Sequence, residues 1–256
     1  MAKTITYKGL RKLNLFMGLL HLAQGLLILA ISTNFKLPVI ARYLDFDAAS
    51  QSLVPASHTL FNLPLAWLIA AFFFLSGLAH LFIATLWRQR YQANLRKGMN
   101  PARWVEYALS ASTMMVAIGL LVGIYEASLL ISIFALTAIM NLMGLVMEVH
   151  NQTTQRTSWL SYLIGCFAGL IPWIAIGLYF WAGAAFGSSQ PPTFVYWIFV
   201  SIFVFFNIFA LNMWLQYKQV GKWANYLYGE RAYIILSLVA KSALAWQIFA
   251  GTLRPL

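Results

Sequence analysis

Seven long apolar runs divide this sequence, and they constrain its fold more than any other feature. A helix needs about 20 predominantly apolar residues to cross the hydrocarbon core of a bilayer, and each run reaches that length. The chain is 61% hydrophobic and only 9% charged, which is far from the balance of soluble domains. We therefore predict an all-α membrane protein, a seven-transmembrane-helix bundle, with spans at about 13–33, 60–86, 101–124, 127–147, 158–182, 193–217 and 229–252.

The seven spans fill most of the 256 residues, so we predict one membrane domain and no second soluble domain. The only long connection, residues 34–59, contains two stretches typical of strands, Val39–Leu44 and Ser52–Val54. They predict a short exposed β-hairpin between the first and second spans. Asn100 followed by Pro101 is typical of an N-cap and the first position of a helix, and predicts the start of the third span.

The basic excess predicts how the bundle is oriented. The net charge is +11, and thirteen of the lysines and arginines flank the side of the N-terminus, against three on the other side. Because lysine and arginine accumulate in cytoplasmic loops, we expect a cytoplasmic N-terminus and an extracellular C-terminus, and we discount nucleic-acid binding. The single cysteine, Cys166, excludes an intrachain disulfide and a cysteine-based metal site.

One lysine lies in the middle of a span. Lys241 is about 12 residues, or roughly 18 Å, into the seventh span, where a charged amine costs about 2.5–3.5 kcal/mol. It could be a neutral lysine bonded to a neighbouring helix. The functional interpretation is an amine that condenses with an aldehyde to form a Schiff base, because burial lowers the basicity of such an amine.

A cationic Schiff base needs an anion, and one acid falls inside a span. Glu106 lies on the order of 8 Å into the third span, whereas the other five acids are in connections or at the ends of spans. Glu106 could instead pair with Arg103 at i,i+3. The two interpretations are compatible, since the arginine could steady the carboxylate.

Two histidines lie at the depth of Glu106. His21 is in the first span and His80 in the second, both roughly 10–13 Å deep. Each could be a structural hydrogen-bonding residue, but together with Glu106 they indicate a polar cavity that holds or relays a proton. Gln24 and Ser76 lie one turn away on suitable helix faces to join it. Two histidines and a carboxylate on three helices lack the spacing of a metal site.

The sequence resembles the heliorhodopsins, microbial rhodopsin-like proteins with inverted membrane orientation. The resemblance rests on Arg103-Trp-Val-Glu106-Tyr107, Gly229-Glu-Arg-Ala-Tyr233 and the run Leu236-Ser-Leu-Val-Ala-Lys241-Ser-Ala-Leu-Ala-Trp246, and it covers nearly the whole chain. It implies all-trans retinal on Lys241, Glu106 as counterion and Ser237 near the Schiff base. It also implies a cytoplasmic-side cavity with His21 and His80, and a homodimer to which the loop between the first two spans contributes.

Retinal requires a long apolar slot with flat walls and one charged end. Side chains on helices that should face it include Tyr107, Met140, Phe203, Phe206 and Trp246. Any one of these residues could equally be a packing or lipid-facing residue. Only the group as a whole predicts a retinal pocket.

The carboxylates of outward proton pumps are missing. Ser237 stands four residues before the lysine and Ala117 three turns after Glu106, so no chain of proton carriers crosses the membrane. We predict a light sensor with a slow photocycle that signals to a cytoplasmic partner. The alternatives are a light-driven or passive ion transporter and a retinal-free enzyme or transporter that uses Lys241 as a base. Because the sequence has no catalytic triad, metal motif or phosphate loop, we do not expect an enzyme.

Overall fold

The computed structural model of the protein describes residues 5–255. Lys3, one of the basic residues on the N-terminal side, lies outside this range. Seven helices within it are long and apolar enough to cross a membrane, which confirms the predicted fold class. In chain order the elements are α1 (Tyr7–Ile31), β1 (Lys36–Asp47), β2 (Ser52–Pro64), α2 (Leu65–Ala84), α3 (Arg88–Arg96), α4 (Pro101–Leu121), α5 (Ala127–His150), α6 (Leu160–Phe186), α7 (Thr193–Tyr217) and α8 (Tyr226–Ile248), which a π turn extends over Phe249–Leu253.

The spans alternate in direction, so the bundle has two ends. We call the end where α1 begins the N-terminal face, and the end that carries the hairpin and the last residues of α8 the hairpin face. The predicted start of α4 is confirmed, because the Asn100 side chain accepts a hydrogen bond from the Arg103 backbone N–H (3.3 Å) and Pro101 takes the first helical position.

The predicted hairpin exists, but it is longer than the sequence indicated. Its strands pair antiparallel from Lys36 opposite Pro64 to Asp47 opposite Ser52, with a bulge between Val39 and Ile40. The second span therefore begins at Leu65 rather than near residue 60. Proline restrains the residue before it to extended backbone, and this keeps the stretch before Pro64 in the strand.

The base of the hairpin is attached to the bundle, whereas its outer part is exposed. Leu37 and Val39 are buried, and the Ile40 N–H donates to the Tyr125 carbonyl (2.8 Å) in the α4–α5 connection. Farther out, β1 and β2 expose large apolar side chains, namely Tyr43, Leu44, Phe46 and Leu53.

The sequence reasoning missed α3, which it treated as a loop at the N-terminal face. This helix is short and amphipathic: Tyr91 and Leu95 are buried against the bundle, while Arg88, Arg90 and Arg96 are exposed. Its nine residues are too few to appear among runs of membrane-spanning length. As shown below, Tyr91 takes part in the buried polar network.

The apolar core fills the half of the bundle toward the hairpin face. Its fully buried side chains come from α1, α2, α4, α5, α6, α7 and α8, and include Ile28, Ile69, Phe72, Met115, Ile118, Ile133, Ile176, Ile202 and Ile248. Glycines let the first two helices approach closely. A Cβ on Gly18 would lie 2.8 Å from the Leu81 side chain, and one on Gly77 would lie 2.8 Å from Leu22.

Candidate functional site

The candidate site is a buried amine and a buried carboxylate in contact between α4 and α8. Lys241 is 3% exposed, and its Nζ lies 3.4 Å from Oε1 of Glu106. The same Nζ donates a hydrogen bond to Oγ of Ser237 (2.8 Å), one helical turn earlier on α8. Two charges removed from water are costly unless they are paired and hydrogen-bonded, and here each is the partner of the other.

Two hydroxyl groups also bind the carboxylate. Ser110, one turn later on α4, donates to Oε1 of Glu106 (2.6 Å), and Ser76 of α2 donates to the same oxygen. An ionised carboxylate is only an acceptor, so an ammonium and two hydroxyls around one oxygen suit the charged form. Ser76 was expected to join a polar cavity with Glu106 and the histidines, and its side chain is bonded to Glu106.

Arg103 does not pair with Glu106, so the i,i+3 interpretation is wrong. Its guanidinium binds Glu148 of α5 (2.5 Å) and Glu230 of α8, and all three side chains are almost fully buried. We call Arg103, Glu148 and Glu230 the arginine cluster. The sequence reasoning placed both glutamates at the ends of spans and assigned them no role. The sequence did offer one signal for this pairing. Both glutamates lie within about two turns of a helix end at the N-terminal face, which is the level of Arg103.

Neutral donors complete the arginine cluster. Glu148 accepts hydrogen bonds from Trp104 Nε1 (2.7 Å), the Asn100 backbone N–H (2.7 Å) and the Tyr226 hydroxyl (3.0 Å). Glu230 accepts from the Tyr91 hydroxyl (2.8 Å) and Asn100 Nδ2 (2.9 Å). The cluster therefore joins α3, α4, α5 and α8 beneath the N-terminal face.

A small polar cavity separates the arginine cluster from Glu106. Its volume is about 20 Å³, which is room for a single water molecule. The polar side chains that line it are Asn14, His80, Asn100, Arg103, Glu106, Tyr107 and Glu230. Of the four residues predicted for a proton cavity, the structure brings only His80 to its wall.

The two histidines stack on each other next to this cavity. The ring centroids of His21 and His80 are 5.6 Å apart, with 10° between the planes. His80 Nδ1 lies 2.7 Å from Oδ1 of Asn14. Among the described residues, His80 Nε2 and both ring nitrogens of His21 have no hydrogen-bond partner.

Gln24, predicted to join the polar cavity, and Trp246, predicted to face the chromophore, bind each other. Oε1 of Gln24 accepts hydrogen bonds from Trp246 Nε1 (3.0 Å) and from the Ser242 hydroxyl (2.9 Å), which ties α1 to α8. Trp246 lines neither the apolar cavity next to Lys241 nor the larger apolar cavity between α5, α6 and α7. Five residues correspond to about 140° of net rotation around a helix, so Trp246 faces away from the lysine.

An apolar slot begins at Lys241. A cavity of about 40 Å³ is lined by Tyr107, Met140, Phe206, Ser237 and Lys241, among others. A second cavity of about 180 Å³, between α5, α6 and α7, shares Met140 and Phe206 with the first and is also lined by Phe203. The structure thus places Tyr107, Met140, Phe203, Phe206 and Ser237 along one slot.

Glycines keep the slot open on the side of α5 and α6. A Cβ on Gly169 would lie 2.3 Å from Sδ of Met140, and one on Gly144 would lie 2.5 Å from the ring of Trp104. An elongated apolar space with aromatic walls and one amine paired with a carboxylate at its end fits retinal. Among residues 5–255, no group of three or more histidine, cysteine, aspartate or glutamate side chains could hold a metal ion.

Comparisons with known proteins concern the family and the fold of the chain. The family model described as Heliorhodopsin matches residues 10–253. The crystal structure of cyanorhodopsin from the cyanobacterium Tolypothrix sp. superposes with a TM-score of 0.60 at 15% sequence identity, covering 96% of this chain and 94% of that chain. At that identity the likeness concerns the fold alone. No curated protein sequence matches the chain.

Proposed function

From the premise that this chain belongs to the heliorhodopsin family and is a light-responsive retinal protein of the membrane, we propose that it is a light sensor and not an ion pump or an enzyme. The observation that carries this proposal is the buried pair of Lys241 and Glu106, 3.4 Å apart at the end of an apolar slot. A buried lysine with a single carboxylate partner suits a covalent anchor better than a structural role, because burial without function only costs stability.

When bound, all-trans retinal would supply a visible chromophore, linked to the Lys241 nitrogen as a protonated Schiff base, that light isomerises. Glu106 would be its counterion, held in place by Ser76 and Ser110. Ser237 would accept the N–H of the lysine nitrogen in the dark, as it does in the free amine. Tyr107, Met140, Phe203 and Phe206 would form the walls.

The polar side chains favour a proton that stays inside the protein. On the N-terminal side of Lys241 lie Glu106, the small cavity and His80, whereas the half toward the hairpin face is packed with apolar side chains. A proton released from the lysine nitrogen could move to these groups and return, whereas among residues 5–255 no buried ionisable side chain lies between Lys241 and the hairpin face. We therefore propose a slow photocycle without net transport.

Orientation and assembly are part of the same proposal. The basic residues at the N-terminal face, including Arg88, Arg90 and Arg96 on α3, favour a cytoplasmic location for that face. A cytoplasmic partner would then receive the signal there. The exposed apolar side chains of the hairpin, among them Tyr43 and Phe46, favour burial against a second copy, which supports a homodimer.

The test is reconstitution of the purified protein with all-trans retinal, compared with Lys241→Ala. We expect a visible absorption band in the wild type, its complete loss in Lys241→Ala, and an unchanged band in Lys222→Ala, a matched control at an exposed lysine. A wild type that stays colourless, or a Lys241→Ala variant that forms the same band, would contradict the proposed attachment.

The same sample separates sensing from transport. Flash photolysis should show slow recovery of the dark band, while vesicles that contain the protein should show no sustained change of internal pH in light. A steady light-driven pH change that a protonophore collapses would identify a pump, and would overturn the proposal while leaving the retinal site intact.

A further inference from the structure

Among residues 5–255, the side chain that forms a hydrogen bond with His80 is that of Asn14 on α1, and a third group determines the orientation of Asn14. Its Nδ2 lies 2.9 Å from the Leu10 carbonyl oxygen, one turn earlier on α1. A carbonyl oxygen can only accept, so the atom facing it is the amide nitrogen of Asn14. The amide oxygen therefore faces Nδ1 of His80, at 2.7 Å.

This orientation decides which nitrogen of His80 carries the proton. In a neutral imidazole one nitrogen donates and the other accepts. Because Oδ1 of Asn14 can only accept, a hydrogen bond at 2.7 Å requires the proton on Nδ1. Nε2 is then the unprotonated nitrogen, and it has no hydrogen-bond partner among the described residues.

A second set of contacts points the same way. Nδ2 of Asn14 also donates to the Tyr91 hydroxyl (3.3 Å), and that hydroxyl donates to Oε1 of Glu230 (2.8 Å). Burial raises the pKa of Tyr91 well above its ordinary value, so the phenol keeps the proton that it donates. From His80 through Asn14 and Tyr91, every donor is directed toward the carboxylate of Glu230.

We infer that Asn14 is a positioning residue that holds the proton of His80 on Nδ1 and so makes Nε2 the nitrogen that accepts a proton. The inference rests on the proposed function, in which a proton leaves the lysine nitrogen and stays within the protein. His80 lines the same small cavity as Glu106, the carboxylate that is paired with the Lys241 nitrogen. Once protonated on Nε2, the ring is a cation that keeps its hydrogen bond to Asn14. Asn14 and Tyr91 then link this cation to the carboxylate of Glu230.

The test reads the tautomer directly in the dark protein. Protonated and unprotonated imidazole nitrogens give separate nitrogen resonances, so magnetic resonance of protein labelled with ¹⁵N-histidine reports the proton position. The sequence has four histidines, and the His80→Gln spectrum identifies the signals of His80 by difference. We expect Nδ1 protonated and Nε2 unprotonated in the wild type. A wild-type ring protonated on Nε2 would overturn the inference.

Three variants separate positioning from a structural role. Asn14→Leu removes the acceptor of the Nδ1 proton. The ratio of the two tautomers should change by about tenfold, because this is the change in equilibrium that loss of one ordinary hydrogen bond produces. Asn14→Asp keeps an acceptor oxygen and should retain the Nδ1 proton. Tyr91→Phe cuts the link to Glu230 but leaves Leu10 to orient Asn14, so it should retain the wild-type tautomer. An unchanged ratio in Asn14→Leu, or a lost preference in Asn14→Asp, would contradict the inference.

Failure of the proposed function would look different. The dark spectrum needs no photocycle, so it tests the tautomer even if the protein proves to be a pump. If both proposals hold, flash photolysis should show altered late kinetics in His80→Ala and in Asn14→Leu, and the wild-type course in Asn14→Asp. Should Asn14→Leu fail to fold, the wild-type tautomer and the Asn14→Asp spectrum still decide the question.

Discussion

The two halves of the bundle differ in what their buried polar groups bind. In the half toward the N-terminal face, such groups connect different helices: Arg103 of α4 binds Glu148 of α5 and Glu230 of α8, and Ser76 of α2 binds Glu106 of α4. In the half toward the hairpin face, Gln24 joins α1 to α8, but the buried threonine hydroxyls bond back to their own helix. Thr113 donates to the Leu109 carbonyl (2.8 Å), and Thr137 donates to the Ile133 carbonyl (2.8 Å).

The ionisable groups follow the same division. Among residues 5–255, the buried ones are His21, His80, Tyr91, Arg103, Glu106, Tyr107, Glu148, Glu230, Tyr233 and Lys241. Each lies near the level of Lys241 or nearer the N-terminal face. One half thus contains the buried ionisable groups, while the other half contains the apolar core. The difference places the ionisable groups of the candidate site toward one end of the molecule.

Removal of Arg103 should produce the largest loss of stability of any variant proposed here. Arg103→Leu leaves Glu148 and Glu230 as uncompensated buried carboxylates, and breaking such a cluster costs about 3–5 kcal/mol. Thermal unfolding of the purified protein, followed by loss of helical signal, measures this cost. As a comparison in the apolar half, Ile118→Val should cost about 0.5–1.5 kcal/mol.

Equal destabilisation by the two variants would remove the distinction between the halves. A triple variant in which Glu148→Gln and Glu230→Gln accompany Arg103→Leu should recover part of the loss, because the buried charges are gone together. If this triple variant is less stable than Arg103→Leu alone, the cost does not come from unpaired carboxylates.

The sequence predicted the apolar framework better than the polar network. Span length and periodicity depend on local composition, so the seven helices, the hairpin and the cap at Asn100 could all be predicted. The start of the second span could not, because pairing of β2 with β1 keeps the residues before Pro64 extended. That pairing is a long-range contact, which no local window contains.

The sequence predicted those site residues that could be recognised by their depth in the membrane alone. Lys241 and Glu106 are ionisable residues inside spans, and the structure brings them into contact. Glu148 and Glu230 lie at span ends, where acids are common, and their pairing with Arg103 depends on how three helices pack. The bond between Gln24 and Trp246 was not predicted, because the helix face of Gln24 was known but its partner was not.

Neutralising the counterion should change colour with less effect on stability. Glu106→Gln keeps the shape of the side chain but removes the negative charge 3.4 Å from the lysine nitrogen. Loss of this charge stabilises the delocalised excited state relative to the ground state, so the absorption maximum should move to longer wavelength. Absorption spectra of the reconstituted variant measure the shift, with Glu148→Gln as a matched control that should move the band much less. A Glu106→Gln band at the wild-type position would mean that another anion balances the charge.

The smallest effect is expected from a matched pair of serines that straddles the boundary between the halves. Ser110 donates to Glu106 (2.6 Å), whereas Ser112, two residues later on the other side of α4, donates only to the Ala108 carbonyl of its own helix (2.6 Å). Side-chain hydrogen bonds in membranes contribute about 0.6 kcal/mol on average, so Ser110→Ala and Ser112→Ala should each lower stability only slightly. Their spectra should nevertheless differ, because Ser110→Ala alone removes a donor from the counterion and should shift the absorption band. If Ser112→Ala shifts the band as far as Ser110→Ala, the influence on the chromophore extends past the boundary, and the hairpin half is not the inert framework that its hydrogen bonds indicate.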